Sequence, residues 1–256
     1  MADETKQHEK ENPESSSRRK FIKNSGFVLG GLAVGGILGN LLPAKDQDSN
    51  DPPPQEENET AESFTMALMY FTPEQYKIVE AATERIFPAD DNGPGAKDLG
   101  VAFFIDHQLN GSWGLNAREY MQAPFFKGEN VQGYQGRLNR REIFDIGLRE
   151  MQNYSMTKYN KGFVELSEED QDTILKDFEE DNVKLTTISA SGFFKLLRGS
   201  TLEGAYCDPL YSGNRNMAGW KMRKYPGSQM AYTEIIEKGF EEIPPQSLRS
   251  HLGSHS

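Results

Sequence analysis

The chain has 256 residues, of which 36% are apolar, and its 28 Lys/Arg against 39 Asp/Glu leave a formal net charge of −11. That length suits one sizeable core, the composition excludes a polytopic membrane protein, and the acidic balance excludes a general affinity for nucleic acid. One cysteine, Cys207, and four histidines, His8, His107, His251 and His255, exclude a disulfide framework, a thiolate zinc site and a Cys-Xaa-Xaa-Cys-His haem attachment.

The charge is unevenly distributed. Residues 1–45 carry +2 and the remainder −13, as in an acidic domain behind a basic leader. Residues 1–17 are polar and read as unstructured. Ser17-Arg18-Arg19-Lys20-Phe21-Ile22-Lys23 then leads into an uncharged, glycine-rich apolar stretch that runs through Leu42. A basic segment before an apolar one is the physical form of an export signal: the basic end stays at the cytoplasmic leaflet while the apolar stretch enters the bilayer. Arg18, Arg19, Phe21 and Lys23 resemble the twin-arginine signal, with Ile22 in its Leu position, which implies export of a folded protein by the twin-arginine translocase. The expected location is the periplasm or the extracytoplasmic face of the membrane. The stretch nearly reaches the roughly 20 residues that span a bilayer, and Leu42-Pro43-Ala44 is not a clean small-Xaa-small cleavage site, so a cleaved signal and a retained anchor both fit. Residues 1–44 are assigned to the signal region. Residues 45–63, rich in acids and amides around Pro52-Pro53-Pro54, are a linker that cannot bury enough apolar surface to order itself.

The folded domain is expected over 64–240. Thr72-Pro73-Glu74-Gln75 has a capping hydroxyl, proline at the first helical position and glutamine at the third. Ile78, Val79, Ala82 and Ile86 continue it at helical spacing, and Pro88 with Asp90-Asp91-Asn92-Gly93-Pro94-Gly95 ends it. A second helix is predicted from about Ala96 to Leu109, burying Leu99, Phe103 and Leu109 or their neighbours. Residues 113–136, rich in aromatics and glycine without a steady period, read as a long ordered loop with a short helix near Asn116–Met121; its aromatics suit either a protein-contact surface or plugs beneath the loop. Further helices are predicted over Arg137 to Tyr159, from Ser167-Glu168-Glu169-Asp170 to Glu180, and from Thr187 to Arg198. Alternation never lasts long enough for a strand. The fold class is therefore all-α: a single domain of six to eight helices with long ordered loops, followed by a disordered tail over 241–256.

The most distinctive segment is Thr201–Trp220. Its glycines and Pro209 suggest tight turns, and Glu203, Asp208, Asn214 and Arg215 suggest a polar network. A catalytic reading makes Glu203 and Asp208 an acid/base pair; a structural reading has them accept backbone N–H groups or pair with Arg215. Cys207 lacks a linked base and reads as a small buried cysteine. His107 reads as a helix-surface or capping histidine, and Asp106-His107 as a pair without a third metal ligand. No phosphate loop, dinucleotide fingerprint, serine elbow or zinc spacing is present.

Over the twin-arginine leader and most of residues 70–230 the chain resembles the gluconate 2-dehydrogenase subunit 3 family. The resemblance rests on Thr72-Pro73-Glu74-Gln75 running into Arg85-Ile86-Phe87-Pro88 and Pro94-Gly95-Ala96. It rests more firmly on Glu203-Gly204, Asp208-Pro209-Leu210-Tyr211-Ser212-Gly213-Asn214-Arg215 and Gly219-Trp220, ending at Tyr225-Pro226-Gly227. It implies a non-catalytic, membrane-associated accessory subunit that holds no cofactor and partners a large FAD-containing oxidoreductase of the glucose–methanol–choline type, commonly with a cytochrome c subunit carrying haem. Catalysis on a sugar, sugar acid or polyol then belongs to the partners, while this chain supplies the export signal and assists maturation. Cys207 and the long acidic spacer depart from the family pattern. Two other readings stand beside it: a stand-alone exported enzyme using Glu203 and Asp208, and an envelope protein anchored by its leader.

Overall fold

The computed structural model describes residues 66–126, 128–233, 235–239 and 241–252. The expected signal residues Arg18, Arg19, Phe21 and Lys23 and the acidic linker lie outside them. The described residues form seven α-helices and no sheet: α1 (Pro73–Ile86), α2 (Val101–Asn110), α3 (Arg140–Tyr159), α4 (Glu168–Glu179), α5 (Ala190–Tyr206), α6 (Ala218–Met222) and α7 (Leu248–Leu252). None of these helices is long and apolar enough to cross a membrane.

Helix starts follow local chemistry. Thr72 Oγ1 accepts from Gln75 N at 3.2 Å while Gln75 Oε1 accepts from Thr72 N at 3.0 Å, so α1 opens with a reciprocal cap. Asn139 and Glu142 do the same for α3, and Ser167 caps α4. The expected boundaries shift where backbone geometry intervenes. α2 begins at Val101 rather than Ala96, because Gly100 holds a left-handed φ of 73° and the chain before it is a series of turns. Asn116, at φ 52°, interrupts the short helix expected over Asn116–Met121, which is a turn instead. α5 starts three residues after Thr187 and continues eight residues past Arg198, through Gly199 and Gly204 to Tyr206.

α5 is the central helix and packs against α1, α2, α3, α4 and α6. Phe193 shows why. Its ring meets Phe144 of α3 edge-on at 5.8 Å and Phe178 of α4 at 6.1 Å. It lies directly on Gly147 of α3, where a Cβ would collide with the ring. These rings and Val79, Ile105, Leu148, Ile174 and Leu197 are buried in one hydrophobic cluster. Fully burying one such side chain contributes about 1.5–3 kcal/mol. Polar ties fix the helices around that core. Arg85 of α1 grips Asp172 of α4 through two bonds of 2.8 Å and also pairs with Glu168. Asp177 of α4 accepts from Tyr154 and Lys158 of α3 at 2.9 and 2.6 Å.

The last described residues are not the disordered tail expected from 241 onward. Gln246 pairs its backbone with Pro226 and Ser228, and Leu248–Leu252 form α7. His251 Nε2 lies 2.7 Å from the Ser228 carbonyl oxygen. Local composition gives no sign of this, because the partners lie about twenty residues earlier in the chain.

Candidate functional site

A helix leaves its last carbonyl groups without intrahelical partners. At the end of α5 those groups are met by side chains from the loop that follows. Trp220 Nε1 donates to the Tyr206 carbonyl at 2.7 Å, and Asn214 Nδ2 donates to the Cys207 carbonyl at 2.8 Å. Asn214 is fully buried, and its Oδ1 accepts from Gly219 N at 2.7 Å. The loop therefore folds back over the helix end. That return needs two positions without side chains: a Cβ on Gly213 would collide with the Gly204 carbonyl oxygen, and one on Gly219 with the Ala205 carbonyl oxygen. Pro209 opens a short 3₁₀ turn, Pro209–Tyr211, and Tyr211, which ends it, is 47% exposed.

Asp208 is the second centre of this region. Oδ1 accepts from Leu210 N at 2.9 Å and Ser247 Oγ at 2.6 Å, while Oδ2 accepts from Leu248 N at 2.8 Å and Ser228 Oγ at 3.3 Å. Burial pushes its carboxyl pKa up, but the hydrogen bonds from Ser247, Leu248, Leu210 and Ser228 outweigh it and hold the group below the usual carboxylate range. Both oxygens are committed to holding the chain in shape. Glu203 sits in the last turn of α5 and shares no hydrogen bond with Asp208. Partial burial raises its carboxyl pKa, against the opposing charge of Arg140. The acid/base pairing offered by the sequence is not assembled.

Arg215 pairs with neither carboxylate. Its guanidinium lies over the Phe103 ring at 5.4 Å, and its backbone N–H donates to the Leu99 carbonyl at 3.2 Å, tying the loop to the start of α2. Cys207 is largely enclosed; burial pushes its thiol up to about 12, and Sγ lies 3.4 Å from the Gly204 carbonyl oxygen. This is the inert microenvironment of a structural thiol.

His107 is a cross-link rather than the surface or capping residue expected. Its Nε2 lies 2.8 Å from the Ala67 carbonyl oxygen, which can only accept, so Nε2 carries the proton. Its Nδ1 lies 2.8 Å from Ser212 Oγ. Beside it, buried Asp106 accepts three backbone N–H groups, from Met69, Tyr70 and Phe71, at 2.6, 3.0 and 2.6 Å. Adjacent residues of α2 thus fix the lead-in to α1 and, through Ser212, the loop after α5. Among the described residues no group of three or more His, Cys, Asp or Glu side chains is placed to hold a metal ion.

Residues 73–227 match the family model described as gluconate 2-dehydrogenase subunit 3. The chain belongs to the gluconate 2-dehydrogenase subunit 3 family. No curated protein and no solved structure matches it. The subunit 3 match begins at the first residue of α1 and ends at Gly227. It therefore takes in α1 to α6 and every motif residue from Glu203 to Trp220, and it stops before the segment that Asp208 anchors.

Three contributors escaped the sequence reading: His107 as a bridge, Asp106 as a cap for 69–71, and the serines on Asp208. Asp106 was detectable as a carboxylate on the buried face of an apolar helix. Ser247, thirty-nine residues from Asp208, left no local trace. The aromatics divide sharply. Trp220 is only 5% exposed and Trp113 packs beneath Arg140 at 4.7 Å, so both are architectural, whereas Tyr120 and Phe126 are 82% and 76% exposed.

Proposed function

We infer that this chain is a non-catalytic accessory subunit of an exported, FAD-dependent dehydrogenase acting on gluconate or on another sugar acid, sugar or polyol. The observation that carries the reading is the subunit 3 match across 73–227. The commitment of Asp208, Asn214 and Trp220 to closing the end of α5 supports it, since the most distinctive residues are spent on architecture. In this reading the flavin belongs to a large oxidoreductase of the glucose–methanol–choline type, and haem c to a cytochrome subunit. The small subunit covers part of the flavoprotein, with Tyr120, Phe126 and Tyr211 as exposed aromatic anchors. Arg18, Arg19, Phe21 and Lys23 direct the preassembled pair to the twin-arginine translocase, so the flavoprotein crosses the membrane folded and loaded, and the complex works at the extracytoplasmic face.

Co-expression tests this directly. A stable complex with the flavoprotein is expected, together with cytoplasmic retention of both chains in the variant Arg18→Lys with Arg19→Lys. Export of the flavoprotein without this chain contradicts the reading.

A further inference from the structure

The family match ends at Gly227, yet the chain continues into a closed loop whose two ends meet. Ser228 N donates to the Gln246 carbonyl at 2.7 Å, and Gln246 N donates to the Pro226 carbonyl at 3.1 Å. Asp208, inside the matched span, then fastens both ends through Ser228, Ser247 and Leu248. Within the loop, Ile235 N and Ile236 N both turn back onto the Tyr232 carbonyl, at 3.1 and 2.9 Å. Met230, Tyr232 and Ile236 in this loop are 74%, 43% and 77% exposed. Surface loops with pinned ends are frequently functional. Here the sequence departs from the ordinary polar loop: large apolar side chains alternate with Glu234, Glu237, Glu241 and Glu242, against Lys238 alone, for a net charge of −3 over 229–245.

We propose that residues 229–245 are a contact arm added to the subunit 3 domain, which seats Met230, Tyr232 and Ile236 against an apolar patch bordered by Lys or Arg on the flavoprotein subunit. This rests on the accessory-subunit reading and deepens it. The matched domain supplies the shared scaffold, and the arm fits this chain to its own partner. Asp208 is its positioning residue: one carboxylate holds both ends of the arm against the loop that closes α5. Apolar side chains provide the desolvated contact, while the glutamates steer approach and reject an acidic surface.

The test uses the full chain and the FAD-containing subunit purified with it. In one variant a short Gly/Ser bridge replaces 229–245 between Ser228 and Gln246. In a second, Met230→Ser, Tyr232→Ser and Ile236→Ser are combined, which removes the apolar contacts and leaves the pinned ends untouched. Both should keep the helical circular dichroism of the parent and bind the flavoprotein at least about tenfold more weakly. A third variant, Glu237→Lys with Glu241→Lys, should associate more slowly, with the difference shrinking in high salt. If the folded triple-serine variant binds as the parent does, the arm is not a contact and the proposal fails while the accessory reading stands. If the parent chain itself binds no flavoprotein, both fail.

Discussion

Trp220 Nε1 lies 2.7 Å from the carbonyl oxygen of Tyr206, fourteen residues earlier, so an indole closes the end of the helix around which the domain is packed. Removing that donor while keeping an aromatic ring isolates its contribution. Trp220→Phe should cost about 1–3 kcal/mol, the penalty for a buried carbonyl left unpaired, and Trp220→Ala about 3–5 kcal/mol. Chemical denaturation measures both. A loss below about 0.5 kcal/mol for the Phe variant, within the usual range for a surface substitution, contradicts the capping role.

Gly147 offers a test in which two effects have opposite signs. Alanine is favoured over glycine inside a helix by about 1 kcal/mol, so propensity alone makes Gly147→Ala stabilising. Its Cβ, however, collides with the Phe193 ring, and overpacking of this kind costs about 1–3 kcal/mol. The variant should be destabilised, and Phe193→Leu should relieve part of the loss when the two are combined. Additive effects in that double-mutant cycle would show that the two positions do not press on one another.

Acid sensitivity follows from Asp208. Its folded pKa lies below the ordinary value of 3.8, so the contribution is fully present above that value and is lost as pH falls through the folded pKa. Asp208→Asn places an amide against donors and should be less stable at pH 7 by about 1–3 kcal/mol. The stability difference from the parent should narrow below about pH 4. Asp177, also held low against its burial by Lys158 and Tyr154, shares the same acid limb and remains in the variant. A difference that stays constant between pH 7 and pH 3 would contradict the linkage.

Cys207 should be nearly unreactive. With burial pushing its thiol up to about 12, alkylation by iodoacetamide at pH 8 should run at least about a hundredfold slower in the folded chain than in denaturant. Rapid labelling under native conditions would show an accessible thiolate and reopen a chemical role for the loop.

Legibility followed the range of the interactions. The starts of α1 and α4 were readable because a cap acts over three residues, and Thr72, Gln75 and Ser167 occupy the expected places. The apolar faces of α1, α3 and α4 were readable from their period. The end of α5 was not. Gly199 and Gly204 look like breakers in isolation, yet a Cβ on Gly204 would stand 2.8 Å from the Phe104 ring, so close packing against α2, not a turn, accounts for that glycine. Glu203 thereby became part of a helix, five residues from Asp208 in sequence but engaged in different surroundings. Asp208 as an acceptor of backbone N–H groups was within reach of the sequence, but the His107 bridge and the serines on Asp208 were hidden, because those partners lie twenty or more residues away and only the packed fold unites them.

On the proposed reading this domain works by covering a flavoprotein, and the redox centre belongs to that partner. The most direct measurement is to purify the chain alone and with its co-expressed FAD-containing subunit, and to assay each for bound flavin and for oxidation of gluconate and related sugars with an artificial acceptor. Flavin and turnover are expected only in the complex, with Glu203→Gln leaving that turnover unchanged. Stoichiometric flavin in the isolated chain, with turnover that Glu203→Gln abolishes, would contradict it.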